Sequence, residues 1–153
     1  MKITDFLTVQ TVMPSLASRD KNAVLQELAE GLTAYYQSLD QKRVFEVLLE
    51  RERISTTAIG EGVAIPHGKL PDVDRVLGVF ARSIAGVDFG SLDGAPTYLF
   101  FVLIAPQNAA ADHLKALARI SRLLKDEGFR RRLLAGKSSE ELFALIAQED
   151  EKF

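Results

Sequence analysis

Two histidines and one arginine are the residues of this chain best suited to chemistry. Cysteine is absent, which excludes disulfides, thiolate metal sites and thiol nucleophiles. The imidazoles are His67 and His113, two in all. Imidazole is the one common side chain whose neutral, nucleophilic form is present near pH 7. His67 follows a proline that stiffens the backbone and precedes a glycine, in Val63-Ala64-Ile65-Pro66-His67-Gly68-Lys69. Taken alone, a histidine there serves equally well as a loop hydrogen-bonder. His113 precedes Leu117 by one helical turn on an apolar stripe, where a buried and satisfied imidazole is the plain expectation. It also falls in the first turn of its helix, a place that favours anions. Arg51 sits in the charge run Glu50-Arg51-Glu52-Arg53 near a helix end. A cation there complements the helix dipole. Its other use is a planar, permanently charged fork for phosphoryl oxygens.

Other chemistries fit the chain poorly. Gly62 to Leu70 ends in Gly-Lys like a phosphate-binding loop, but its glycine spacing is wrong and Leu70 stands where a magnesium-binding hydroxyl belongs. Gly60-Glu61-Gly62 begins like a dinucleotide fingerprint, with Ile65 at the third glycine position. There is no Gly-x-Ser-x-Gly elbow for a serine hydrolase. Asp72 and Asp112 are the carboxylates that could join the histidines at a metal, without a recognised ligand spacing. No metal or cofactor is therefore expected. Arg130-Arg131-Arg132 reads as a wet helix face or a contact for an acidic partner.

The elements that position these residues follow from apolar periodicity. Val24, Leu28, Leu32 and Tyr35 predict a helix over about 20–39, capped by Ser18 or Asp20. A second helix is predicted over 41–53. Residues 55–62 read as a loop, by their hydroxyls and glycines. Val63-Ala64-Ile65 is a brief strand stopped by Pro66, which leaves His67 at a strand end. Further strands are expected over 75–82 and, briefly, 87–89, with a turn at 91–96. Thr97 to Ala105 is apolar almost throughout and reads as a strand buried on both faces. A helix capped by Asp112 runs to about Lys125, a helical turn follows at 129–134, and a last helix opens with Ser138 and Glu141 in capping-box spacing. Helices, then strands, then helices make an α/β fold: a mixed β-sheet flanked by helices on both faces.

The chain as a whole sets limits. At 153 residues it fits one domain over 1–153. Its hydrophobic fraction of 47% and charged fraction of 26% suit a packed core. A net charge of −2, with basic residues scattered, argues against a nucleic-acid partner. The start lacks the apolar region of a signal peptide, and no apolar run is long enough for membrane insertion. A cytoplasmic location is expected, in keeping with the absence of cysteine.

Arg51 through Lys69, RERISTTAIGEGVAIPHGK, resembles the active-site region of the mannitol/fructose-type enzyme IIA domains of the bacterial phosphotransferase system. It is most similar to their nitrogen-type, stand-alone regulatory branch. The resemblance covers nearly the whole chain, including the Asp-Gly turn before the apolar strand and the helix bearing His113. It implies that His67 is the phosphoryl acceptor, with its tele nitrogen Nε2 the candidate atom. It also implies that Arg51 stabilises the phosphoryl oxygens and that His113 donates a hydrogen bond or orients the site. Backbone N–H groups around Gly62 and Gly68 would add donors, and the site would be shallow enough for two proteins to bring their histidines together. The implied donor is a nitrogen-type histidine phosphocarrier protein, and the implied targets are regulatory, such as potassium transporters or sensor kinases. Two other outcomes stay open: a sugar-specific IIA that feeds a fructose or mannitol permease, and a binding module that carries no phosphate. One departure is Ala58, where many relatives have glycine. A methyl group is tolerated there unless the backbone needs a positive φ.

Overall fold

The computed structural model describes residues 1–153. Strands β1 (Val12–Met13), β2 (Ala58–Gly60), β3 (Val63–Ala64), β4 (His67–Leu70), β5 (Leu77–Val87) and β6 (Thr97–Pro106) form one sheet. Helices α1 (Lys21–Tyr35), α2 (Gln41–Ile54), α3 (Ala110–Leu124), α4 (Glu127–Ala135) and α5 (Ser139–Asp150) cover it. The order β1-β5-β6-β3-β2, with β4 also paired to β6, mixes parallel and antiparallel neighbours.

The alternation along β6 divides the core. Phe100, Val102 and Ile104 join α1 and α2 in one buried cluster. Leu99, Phe101, Leu103 and Ala105 join α3, α4, α5 and the N-terminal turns in another. Successive side chains of a strand point to opposite faces, so an unbroken apolar run of this length must be covered on both. A mixed sheet with helices on both faces is thus the observed architecture. Each fully buried Phe or Leu contributes about 1.5–3 kcal/mol of transfer free energy.

Several local expectations need correction. The segment 55–62 is not all loop: Ala58–Gly60 pairs with β3 across a left-handed turn at Gly60, Glu61 and Gly62. Glu61 is the one non-glycine residue with positive φ, so Ala58 carries its methyl without strain, buried in the strand. The strand expected over 75–82 continues as β5 to Val87 around an irregularity after Arg82, and Val87 is its end and not the start of another strand. Asp20 caps α1, accepting from the Ala23 N–H at 2.9 Å. Asp112 does not cap α3; the helix already starts at Ala110, after a turn in which the Ala109 N–H donates to the Pro106 carbonyl. Residues 129–134 belong to a full helix, α4, opened by Asp126. Ser138 caps α5, but Glu141 accepts from the Lys137 N–H, so the reciprocal half of the box is missing.

The feature that places the site is a broken strand. β3 and β4 run along the same edge of β6, both parallel to it, with Ile65-Pro66 between them. Proline has no N–H to give a ladder, so the strand is interrupted there and resumes at His67. Opposite His67 on β6 is Leu103, and β6 runs on through Pro106 into α3. Across the other face, α2 lies close against β4 because Gly68 has no side chain. A Cβ there would meet Val47 Cγ2 at 2.9 Å and Val47 Cβ at 3.2 Å. Gly68→Ala is therefore expected to cost about 1–3 kcal/mol through overpacking and to push α2 off the strand. Urea denaturation checks this, and an unchanged midpoint contradicts it.

Candidate functional site

The three residues singled out in the sequence come together from three elements. His67 opens β4, Arg51 lies in the last turn of α2, and His113 in the first turn of α3. They line one depression of about 580 Å³.

The His67 ring is held at both nitrogens. Nδ1 lies 2.8 Å from the Ile65 carbonyl oxygen. A carbonyl only accepts, so the neutral ring carries its proton on Nδ1. The lone pair is then on Nε2, which accepts from the Arg51 Nε–H at 3.3 Å. The Ile65 carbonyl is free for this because the strand breaks at that residue and the next. Arg51 is itself anchored, Nη1 donating to the Ser55 carbonyl at 2.8 Å.

Behind Arg51, buried Glu52 closes the turn after α2. Its carboxylate accepts from the Thr57 N–H at 3.0 Å and the Thr57 hydroxyl at 2.5 Å, and pairs with Lys21 at 3.2 Å. Charge-assisted bonds of this kind rigidify a turn, and the Ser55 carbonyl that holds Arg51 lies within it. The run Glu50-Arg51-Glu52-Arg53 thus divides by role: the middle pair, Arg51 and Glu52, is drawn inward, while Glu50 and Arg53 are exposed.

His113 is 6% exposed, and its ring meets that of His67 edge to face, centroids 5.2 Å apart and planes at 85°. Its Nε2 is buried without a hydrogen-bond partner. Burial lowers its pKa to about 4, with His67 and Lys69 adding repulsion. Burial also lowers the pKa of His67. The Ile65 carbonyl opposes this, Arg51 and Lys69 reinforce it, and Glu52 works against it. Both rings are neutral at pH 7, which leaves Nε2 of His67 free to act as a nucleophile.

A histidine whose pKa is depressed by folding stabilises the fold fully above the unfolded value of about 6.5. That contribution is lost as pH falls from there toward 4. For His113 it is expected to be on the order of 2 kcal/mol. The wild-type unfolding free energy should therefore drop more steeply than that of His113→Gln between pH 6.5 and 4. Parallel curves would count against the burial argument.

Sequence reasoning missed other members of the site. Lys69 stands two residues after His67 on β4 and lines the same depression. A period of two predicts that sharing of a face, but Pro66 reads as the end of the strand. Arg43 and Gln107 line it too, and exposed Ile54 and Leu114 border it. Gly62, expected near His67, lines a separate concavity with Tyr98 and Arg130. Arg130 reaches back to the α3 C-terminus and to Glu61, so part of the basic run is structural. No group of three or more His, Asp or Glu side chains is placed to hold a metal ion, and no helix is long and apolar enough to cross a membrane.

The arrangement has counterparts. Residues 5–149 match the family model of the phosphoenolpyruvate-dependent sugar phosphotransferase system, EIIA 2. A nitrogen regulatory protein of Bradyrhizobium diazoefficiens is 46% identical over 147 residues, covering 96% of this chain and 95% of that one. The fructose-specific EIIABC component of Bacillus subtilis is 40% identical over 150 residues, which span 98% of this chain and 24% of that longer protein. The crystal structure of nitrogen regulatory protein IIA-Ntr from Neisseria meningitidis superposes with a TM-score of 0.88 at 32% identity, covering 94% of this chain and 98% of that one. A mixed sheet with a histidine at the break in its strand, and a match along nearly its whole length, lead to one assignment: the chain belongs to the EIIA type 2 family of the phosphotransferase system.

Proposed function

We propose that this protein is a phosphocarrier of the nitrogen-related branch, which accepts a phosphoryl group on Nε2 of His67 from a histidine phosphocarrier protein. The observation that carries this reading is the tautomer. The Ile65 carbonyl holds the proton on Nδ1 and leaves the Nε2 lone pair facing Arg51 and the depression. In the transfer, that lone pair attacks the phosphorus of the donor's phosphohistidine. A new N–P bond forms as the donor's N–P bond breaks, and its electron pair returns to the donor imidazole. No proton need move, because Nδ1–H stays on the Ile65 carbonyl throughout.

Catalysis here is positioning and charge stabilisation. The Arg51 guanidinium shifts from Nε2 onto the incoming oxygens, kept within reach by its bond to Ser55. His113 Nε2, buried and unpartnered, gains a phosphoryl oxygen as its partner. Exposed Ile54 and Leu114 beside the site give a partner protein apolar footing. The phosphoryl group then adds about −1.5 to −2 charges to that surface, and this change switches binding to regulatory targets such as potassium transporters or sensor kinases. The likeness in length and sequence to nitrogen regulatory proteins supports a regulatory output.

The test is to incubate the chain with phosphoenolpyruvate, the energy-coupling enzyme and the phosphocarrier. A label that is acid-labile and alkali-stable, with the ³¹P shift of an Nε2 adduct, is expected; no label would sink the proposal. The 40% identity to a fructose-specific protein favours one other reading, a IIA that feeds a sugar permease. In that case the label passes quickly to an added IIB domain instead of remaining on this chain.

A further inference from the structure

Four of the five α-helices open on a side-chain cap. Asp20, Asp40, Asp126 and Ser138 each accept from a first-turn N–H. The exception is α3, whose N-cap position is Ala109 and whose Ala110, Ala111 and Asp112 N–H groups meet no protein acceptor. This is a 15-residue helix, long enough for its open end to carry about half a unit of positive charge. Ala110 lines the depression beside His67. A second observation points the same way: His113, in that first turn, lines the same depression, and its buried Nε2 has no partner. An orphaned polar atom in a tightly packed place calls for an explanation, and a ligand oxygen supplies one.

We propose that the open N-terminus of α3 is an anion-binding half of the site, whose Ala110 and Ala111 N–H groups take oxygens of the phosphoryl group on His67. The inference rests on the reading of His67 as acceptor and deepens it. The missing cap is then functional: a side chain at Ala109 that satisfied the first turn would compete for the N–H groups the phosphoryl group needs. Helix N-termini bind phosphates in this way because free donors and dipole act together. Asp112 is the one acidic residue in the first turn, and it is exposed and does not line the depression. The helix makes and breaks no covalent bond; the phosphoryl group stays on Nε2 and gains hydrogen bonds.

Ala109→Ser tests this without adding charge. Its hydroxyl is placed to accept a first-turn N–H, as Ser138 does in α5. The variant should melt at a higher temperature, yet be phosphorylated about tenfold more slowly, at or below the effect of losing one transition-state donor. Its phosphohistidine should also hydrolyse faster. A purely structural role would move stability and transfer in the same direction. A second measurement does not depend on the new cap: in ¹H–¹⁵N spectra of the wild type, the Ala110 and Ala111 amides should move downfield on phosphorylation. A labelled wild type whose two amides stay in place overturns the inference and leaves His67 as acceptor. So does an Ala109→Ser variant that is stabilised and phosphorylated at the wild-type rate. A wild type that takes no phosphate overturns both readings.

Discussion

His67→Ala should reduce phosphoryl labelling from phosphoenolpyruvate to background while the fold persists. The chain contains one other imidazole, His113, and it cannot substitute. It is neutral at pH 7 and in that sense nucleophilic, but its Nε2 is buried. A donor phosphohistidine must approach in line with the attacking nitrogen, and a nitrogen with no exposed surface offers no such line. The stability lost with the His67 ring is chiefly its bond to the Ile65 carbonyl, about 1 kcal/mol by the usual net value of a hydrogen bond, since the longer contact at 3.3 Å leaves behind an Arg51 that is only part-buried. Circular dichroism and the thermal midpoint should therefore change little. Acid-labile label on the variant at the wild-type level would show that the acceptor is elsewhere.

Arg51→Ala should slow phosphoryl transfer by about 10²–10³-fold, the usual effect of losing a positioned donor to transition-state charge. Arg51→Lys should recover only part of this. The guanidinium reaches the His67 ring through Nε and the Ser55 carbonyl through Nη1 at the same time. An ammonium group is a single point and cannot span both. Affinity for the donor protein should stay near the wild-type value, because the interaction strengthens only as charge develops on the oxygens. Stopped-flow transfer rates combined with titration calorimetry separate the two effects. A second signature follows from the electrostatics. Arg51 helps burial to depress the His67 pKa, so the variant's His67 should titrate at higher pH in an NMR titration. Wild-type transfer rates in Arg51→Ala would remove the residue from the mechanism.

Much of the fold was legible because its signals are local. The buried strand 97–106, the helices at 21–35 and 41–54, and the caps Asp20 and Ser138 are written in period and end-chemistry. The short strands were not. β1, β2 and β4 have two, three and four residues, too few for a period to declare itself, and they exist because β5, β3 and β6 respectively offer ladders for them to join. β4 in particular was hidden by Pro66, which reads as a terminator. Tertiary pairing resumed the strand one residue later and put Lys69 on the side of His67.

What the sequence determined alone was the supply of chemistry: two imidazoles, no thiol, and an arginine with a rigid fork, set in a stretch whose resemblance to a known family assigned them roles. Their individual contexts left each with a plain structural alternative. Only the tertiary structure brings them together, because Arg51, His67 and His113 lie on α2, β4 and α3, and their meeting depends on long-range packing. The absent side chain of Gly68 lets α2 reach the strand. The register His67↔Leu103 sets the strand beside β6, and β6 delivers α3 at its end. The Ile65 carbonyl, released by the break at Pro66, selects the ring nitrogen that faces outward. The open end of α3 is likewise invisible in sequence, since a missing cap becomes meaningful only when the space in front of it is known.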